Sequence, residues 1–287
     1  EFVGQVVAVG DSVSSVAEGD RVCAPFTTNC GHCFYCRDGL TSRCENGQLF
    51  GWREHGVGLH GGQAQYVRVP WAEGTLMRIP EGLSDETALL LGDNLSTGHF
   101  AAELAGVQPG GTYAVVGCGT VGLLAIAASL QQRVERVVAV DPNASRRRIA
   151  RRLGAMVFAD PESAAEAVNE LTAGRGADAV MELVGLPEAQ QLAYRLIRPG
   201  GTMSVIGCHC TPHFSFSPAD AYNKNLTYRT GRCPARHTMS KLADQLAREP
   251  QDLSWCITHR FGIADAEKAY QTFAYAREDC VKAVLQL

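Results

Sequence analysis

Between residues 112 and 206, short apolar runs alternate with stretches patterned for helices. TYAVVG, RVVAV, MVFA, AVMELV and TMSVI are almost continuously apolar, as strands become when both faces of a parallel sheet are covered. Between them lie VGLLAIAASLQQ, ASRRRIARRL, PESAAEAVNELTA and PEAQQLAYRLI. Parallel neighbours need crossovers of a dozen or more residues, and segments of this length supply them as helices. The rhythm predicts an α/β fold with a doubly wound parallel sheet.

The first strand–helix junction of that region reads VVGCGTVG. Gly117, Gly119 and Gly122 form G-x-G-x-x-G with a strand before and a helix after, the context in which such a run cradles a dinucleotide. Gly117 permits the tight turn, Gly119 lets a pyrophosphate approach the backbone, and Gly122 lets helix and sheet pack closely. Asp141 ends RVVAV at the place where a carboxylate accepts hydrogen bonds from the adenosine ribose and repels a 2′-phosphate. NAD is therefore expected over NADP. Arg146, Arg147 and Arg148 weigh the other way, with Arg146 counted among the cofactor residues.

A second constraint lies upstream. Cys30, Cys33, Cys36 and Cys44 fall within CGHCFYCRDGLTSRC. Thiolates this close repel one another unless a soft cation draws them together, and tetrahedral zinc is the commonest solution. Eleven cysteines is an odd number, and several of the other seven sit in apolar strand-like runs, which favours a reducing cytoplasm over a disulfide framework. A net charge of −4 opposes nucleic-acid or anionic-membrane binding, and no apolar run approaches the ~20 residues of a membrane-spanning helix. No secretory leader is visible.

Residues 1–93 are expected to be β-rich: EFVGQVVAVG, DRVCAPF, GGQAQYVRVP and TLMRIP are bounded by Gly, Pro and Asp. A long loop over 27–60 carries the cysteines. After LTYRTGR, the segments HTMSKLADQLAREP and ADAEKAYQTFAYAR are predicted helices, and VKAVLQL a final strand. The chain opens at Glu1 in mid-strand pattern without Met, so it is expected to be a fragment whose beginning is lost.

EFVGQVVAVG, GDRVCAPF, the cysteine lobe, GLHGGQAQYVRVP, LGDNLSTG and VVGCGTVG together resemble the medium-chain zinc alcohol dehydrogenase family, over nearly the whole chain. The resemblance implies a GroES-like β-barrel catalytic domain, incomplete at its N-terminus, over 1–93, with a structural zinc lobe over 27–60. It implies a Rossmann NAD-binding domain over 94–233 and a return to the catalytic domain over 234–287. Cys30, Cys33, Cys36 and Cys44 then hold a structural zinc, and His32 stays outside the completed tetrahedron. Glu1 resembles the Glu of a Gly-His-Glu triplet, placed behind a catalytic zinc whose Cys and His ligands lie upstream. Asp93, in LGDNLSTG, aligns with the third ligand of that zinc, where many relatives have Cys. The alternative is that Asp93 caps the following helix. Thr97 is implied to lie beside the nicotinamide, with Thr120 and Val121 among the cofactor residues.

The implied activity is NAD-dependent oxidation of a small-molecule alcohol, or reduction of the corresponding aldehyde, with zinc as Lewis acid in the full-length protein. A homodimer or homotetramer is implied, with LTYRTG a candidate for sheet extension between subunits. Formaldehyde, threonine or a polyol are alternative substrates. A zinc-ribbon nucleic-acid module fused to a Rossmann domain, and a zinc-free NADPH quinone reductase, are competing classes. His55, His60, His209, Arg229 and Arg232 are candidates for substrate or cofactor contact.

Overall fold

The computed structural model describes residues 1–275 and 280–287. Two compact units emerge. One comprises Glu1–Ser96, Cys233–Gln271 and Lys282–Leu287, and the other Thr97–Arg232 and Thr272–Val281.

In the first unit, β1 (Phe2–Gln5), β2 (Arg21–Ala24) and β5 (Met77–Arg78) form an antiparallel sheet in the order β1-β2-β5. Phe2 pairs with Ala24 and Val22 with Arg78, which places Val22 and Ala24 in a small core with Val16 and Leu76. β3 (Arg53–Glu54) and β4 (Val57–Gly58) form a hairpin within the long loop. The helices are α1 (Phe34–Arg37), α2 (Ala72–Thr75), α3 (Asp85–Leu91), α10 (Ala235–Arg248) and most of α11 (Ala266–Tyr275). Ser84 starts α3 by accepting from the Thr87 backbone N–H, the usual cure for orphan donors at a helix start. β12 (His259–Gly262) pairs in parallel with β13 (Ala283–Gln286).

Two expectations change here. GGQAQYVRVP, over 61–70, contains no strand, and the first run is a strand only through Gln5. Alternating apolar residues become a strand only where a neighbour supplies the other half of the ladder, and among the described residues none does. The helix expected over 264–277 appears as α11 through Tyr275, and its last two residues lie outside the described ones.

The second unit is a six-stranded sheet in the order β11-β10-β9-β6-β7-β8, and every pairing in it is parallel. Its strands are β6 (Thr112–Val116), β7 (Arg136–Val140), β8 (Met156–Phe158), β9 (Ala177–Glu182), β10 (Ile197–Val205) and β11 (Thr227–Thr230). α4 (Asn94–Ala105) enters the unit, and α5 (Thr120–Gln131), α6 (Ala144–Leu153), α7 (Pro161–Leu171), α8 (Pro187–Leu196) and α9 (Pro218–Asn223) provide crossovers. The caps are encoded locally. Asn143 and Asp160 accept from the backbone N–H of the third residue of α6 and α7, and Gly154 ends α6 at φ 112°. Val116, Val138, Val180, Leu192, Leu196 and Met203 fill one side of the sheet. Removing a Leu from such a place costs about 2–5 kcal/mol.

Chain order reverses at β6, which has β7 on one side and β9 on the other. The carboxyl ends of β6 and β9 therefore mark the switch point of the sheet, where the ligand crevice lies in such folds.

Residues Thr272–Val281 cluster with this second unit, and Thr120 Oγ1 donates to the Val281 carbonyl at 2.8 Å.

Candidate functional site

The glycine turn follows β6 at the crevice. Gly117 donates its N–H to the Val140 carbonyl at 2.9 Å and sits at φ 94°, left-handed backbone that other residues adopt at a cost. A Cβ on Gly122 would lie 1.9 Å from the Gly117 carbonyl oxygen, so the third glycine is what lets α5 approach the turn. Gly119 differs. It caps α5 in extended backbone, and a Cβ there would meet nothing within 4 Å. The first and third glycines are required by the protein's own packing, while the second borders open space at the N-terminus of a 12-residue helix. Such a terminus presents unpaired N–H groups and a positive dipole end to an anion. Thr120 and Val121 form the first turn of α5.

Asp141, at the end of β7, is 4% exposed. Its Oδ2 accepts from Cys118 N–H and its Oδ1 from Asn143 N–H, both at 2.7 Å. A carboxylate offers about four acceptor positions, so two remain for ribose hydroxyls. Of the three arginines, Arg146 brings Nη1 to 3.9 Å from Asp141 Oδ2, and its buried Nε has no partner. Arg147 instead donates to the Asp141 and Pro142 carbonyls, and Arg148 to Ser145 Oγ. The open glycine, the helix terminus and the half-used carboxylate fit a nicotinamide dinucleotide.

In the first unit, Cys33 precedes α1, Cys36 lies in it, and Cys44 follows a single 3₁₀ turn over Thr41–Arg43. The four sulfurs of Cys30, Cys33, Cys36 and Cys44 lie within 4.8 Å of one another. A tetrahedral zinc with sulfur at ~2.3 Å needs edges of about 3.8 Å, and Cys33 Sγ stands 4.0 Å from Cys44 Sγ. Backbone N–H groups already aim at the sulfurs: Cys30 N–H at Cys44 Sγ (3.2 Å) and Cys33 N–H at Cys30 Sγ (3.4 Å). Burial works against ionisation of the Cys30 thiol, but the N–H groups of His32 and Cys33 prevail and hold it down at about 6. Burial and the adjoining Cys33 and Cys44 sulfurs push Cys36 up to about 12. Four thiolates do not coexist here without a cation, and the donor set fits zinc. His32 is exposed; its Nδ1 lies 3.0 Å from the Cys30 carbonyl and its ring packs edge-on to Trp71.

Among the described residues the quartet is the one group of three or more His, Cys, Asp or Glu spaced for a metal. Asp93 lies between α3 and α4 and accepts from Asn94 Nδ2 at 3.2 Å. Glu1 packs beside the preceding glycine, where a Cβ on Gly92 would lie 2.8 Å from Glu1 Cβ. Its carboxylate pairs with Lys282 Nζ at 2.5 Å. Burial raises its pKa, while the Lys282 ammonium and the amino group of Glu1 itself together draw it below the usual carboxylate value. Thr97 is buried on α4.

The remaining candidates scatter. His55 and His60 are exposed, with Arg53 Nη1 3.4 Å from His60 Nε2. Arg229 donates to the Leu104 carbonyl at the end of α4, and Arg232 is exposed. His209 pairs with Glu182 at 2.8 Å. Glu182 and Lys282 are residues the sequence reading passed over. The available signal for Glu182 was a carboxylate inside the otherwise apolar AVMELV.

A profile described as the alcohol dehydrogenase GroES-like domain matches residues 1–81, and one described as zinc-binding dehydrogenase matches residues 120–248. The chain is 41% identical over 282 residues to zinc-type alcohol dehydrogenase B of Aspergillus flavus, covering 95% of this chain and 65% of that protein. It is 32% identical over 318 residues to a zinc-type alcohol dehydrogenase-like protein of Bacillus subtilis, covering 100% of this chain and 84% of that one. The solved alcohol dehydrogenase TADH of Thermus sp. ATN1 superposes with a TM-score of 0.91 at 34% identity, covering 99% and 82% of the two chains. The chain belongs to the zinc-type alcohol dehydrogenase family of medium-chain oxidoreductases. No helix among the described residues is long and apolar enough to cross a membrane.

Proposed function

We propose that the protein interconverts a small alcohol and its carbonyl compound with NAD(H), and that Cys30, Cys33, Cys36 and Cys44 hold a structural zinc. The observation that carries this is the open Gly119 beside the half-used carboxylate of Asp141, in a chain of this family that also carries the sulfur cage.

In this reading the N–H groups at the start of α5 take the pyrophosphate, with Thr120 and Val121 in that first turn. Asp141 accepts from the adenosine ribose, kept in place by Cys118 N–H and Asn143 N–H, and Arg146 lies beside it. Thr97 serves the nicotinamide end. NAD, when bound, supplies the hydride acceptor. Asp93 offers one oxygen to the family's second zinc, with Glu1 behind it, restrained by Lys282. Among the described residues the donor set there is incomplete.

The test is NADH formation by the full-length protein, with the upstream residues restored, across primary and secondary alcohols, polyols and threonine, with formaldehyde offered alongside NAD or NADH. Turnover with any of these, and a Kd for NADH below that for NADPH, is expected. No NADH binding by calorimetry overturns the reading. A homodimer or homotetramer is the expected assembly, with β11 at the edge of the parallel sheet available for pairing. Sedimentation as a monomer at micromolar concentration refutes that. A reducing cytoplasm suits a four-thiolate cage.

A further inference from the structure

Glu182 is entirely buried, at 0% exposure, at the carboxyl end of β9 beside the glycine turn's own strand. A carboxylate so far from water costs several kcal/mol unless fully partnered. Its partners are specific. Oε1 accepts from Val184 N–H and Gly185 N–H, both at 2.8 Å, and Oε2 lies 2.8 Å from His209 Nε2. The Glu182 main-chain carbonyl accepts from Ile206 and Gly207 N–H, each at 3.0 Å.

One residue therefore ties together two loops, 183–186 after β9 and 207–210 after β10, both at the carboxyl edge of the sheet. The loops touch: a Cβ on Gly207 would lie 2.2 Å from Gly185 N and 2.6 Å from Glu182 Oε2. The first loop also reaches the cofactor turn. Leu183 N–H donates to the Val116 carbonyl, and a Cβ on Gly117 would meet Val184 Cγ2 at 2.6 Å. His209, whose side chain is 15% exposed, closes the clasp from the outer side.

The geometry points to Glu182 and His209 as a positioning pair that sets both loops for the dinucleotide. This rests on the proposed NAD reading of the crevice. Neither residue takes part in bond making; Glu182 acts through the N–H groups it orders, and His209 through Glu182. A charge-assisted pair inside the protein holds geometry more firmly than a neutral contact.

The test is NADH affinity, read by fluorescence of the nucleotide well below the unfolding temperature, for wild type, H209A, H209Q and H209N. His209→Ala is expected to raise Kd about 10-fold. Gln places an amide nitrogen near the position of Nε2 and is expected to restore affinity to within about 3-fold of wild type, while the shorter Asn is not. Leu196→Ala, a cavity in the sheet's core, supplies a matched loss of Tm without touching either loop, and its Kd is expected to stay within about 2-fold of wild type. If H209A does not fold, the Gln–Asn pair decides, with Asn about 10-fold weaker. Equal affinity of all His209 variants and wild type overturns the clasp and leaves the NAD reading standing. So does an L196A variant that loses as much affinity as H209A. A wild-type chain that ignores NADH brings down both.

Discussion

The cysteine lobe and the glycine turn, the two proposed ligand cradles, are built in opposite ways. The lobe is made of side chains on scant backbone: a four-residue helix, a single 3₁₀ turn and four sulfurs. Its local elements bury little apolar surface; no residue of α1 is buried, and Phe34 on it is 69% exposed. The turn is made of backbone held by a large sheet, with β6 buried along its length and most of α5 buried. In this reading one cradle leans on its ligand for order, because little buried apolar surface in its own elements offsets the ordering of its chain. The other exists before its ligand arrives, so its free energy of binding goes to affinity.

The largest effect separating the two should come from removing the metal. Cys44→Ser, or a strong chelator, is expected to drop zinc to near zero per chain and expose the loop to protease, since structural zinc sites hold about 10 kcal/mol or more of apparent folding energy. NADH affinity is expected to survive in the resulting protein. Loss of both together would show the cradles to be coupled.

Next come the glycines. Gly122→Ala drives a methyl to 1.9 Å from the Gly117 carbonyl and is expected to cost about 3 kcal/mol of stability or more, measured by denaturant unfolding. Gly119→Ala has open space and permissive backbone, so unliganded stability should change by less than about 0.5 kcal/mol while NADH binding weakens about tenfold or more. If Gly119→Ala instead unfolds the protein, the division between packing and binding glycines fails.

Asp141→Asn should be milder. Its amide oxygen can accept from only one of the two N–H groups and its NH2 then faces the other, so one hydrogen bond is lost together with the charge beside Arg146. NAD affinity is expected to fall by about 1–2 kcal/mol and preference over NADP to shrink, as read by paired titrations.

The smallest effect lies away from both cradles. Glu86 is held below the usual carboxylate range chiefly by the Arg260 hydrogen bond, at 2.5 Å and 2.7 Å. A depressed folded pKa stabilises at pH values above the unfolded pKa of about 4.3 and is lost as pH falls through the folded one. Wild type should therefore exceed E86Q in Tm at pH 7, and the difference should shrink as pH falls through the carboxylate range. With Glu86 35% exposed and Arg260 42%, screening keeps the difference under about 1 kcal/mol.

How much was legible beforehand follows the range of the interactions involved. The strands β6 to β10 were readable as near-continuous apolar runs and the helices α5 to α8 as the longer segments between them, with side-chain caps at the starts of α6 and α7. The sulfur cage was readable because all its ligands fall within fifteen consecutive residues. The run at 61–70 alternates like a strand yet forms none, because alternation is a local property whereas a ladder requires a partner. Glu182 and Lys282 were missed for a related reason. A buried charge looks like an error in an apolar run until its partner, distant in sequence, is brought beside it: His209 for one, Glu1 for the other.

Composition, periodicity and short-range motifs by themselves determined the alternating sheet, the clustering of the four thiols and the glycine turn after β6, since each depends on residues a few positions apart. Only the tertiary structure decided which glycine borders open space, which arginine faces Asp141, and what neutralises the carboxylates sealed inside. Those outcomes depend on burial and on contacts across tens to hundreds of residues, where electrostatic cost is set by what folding brings together.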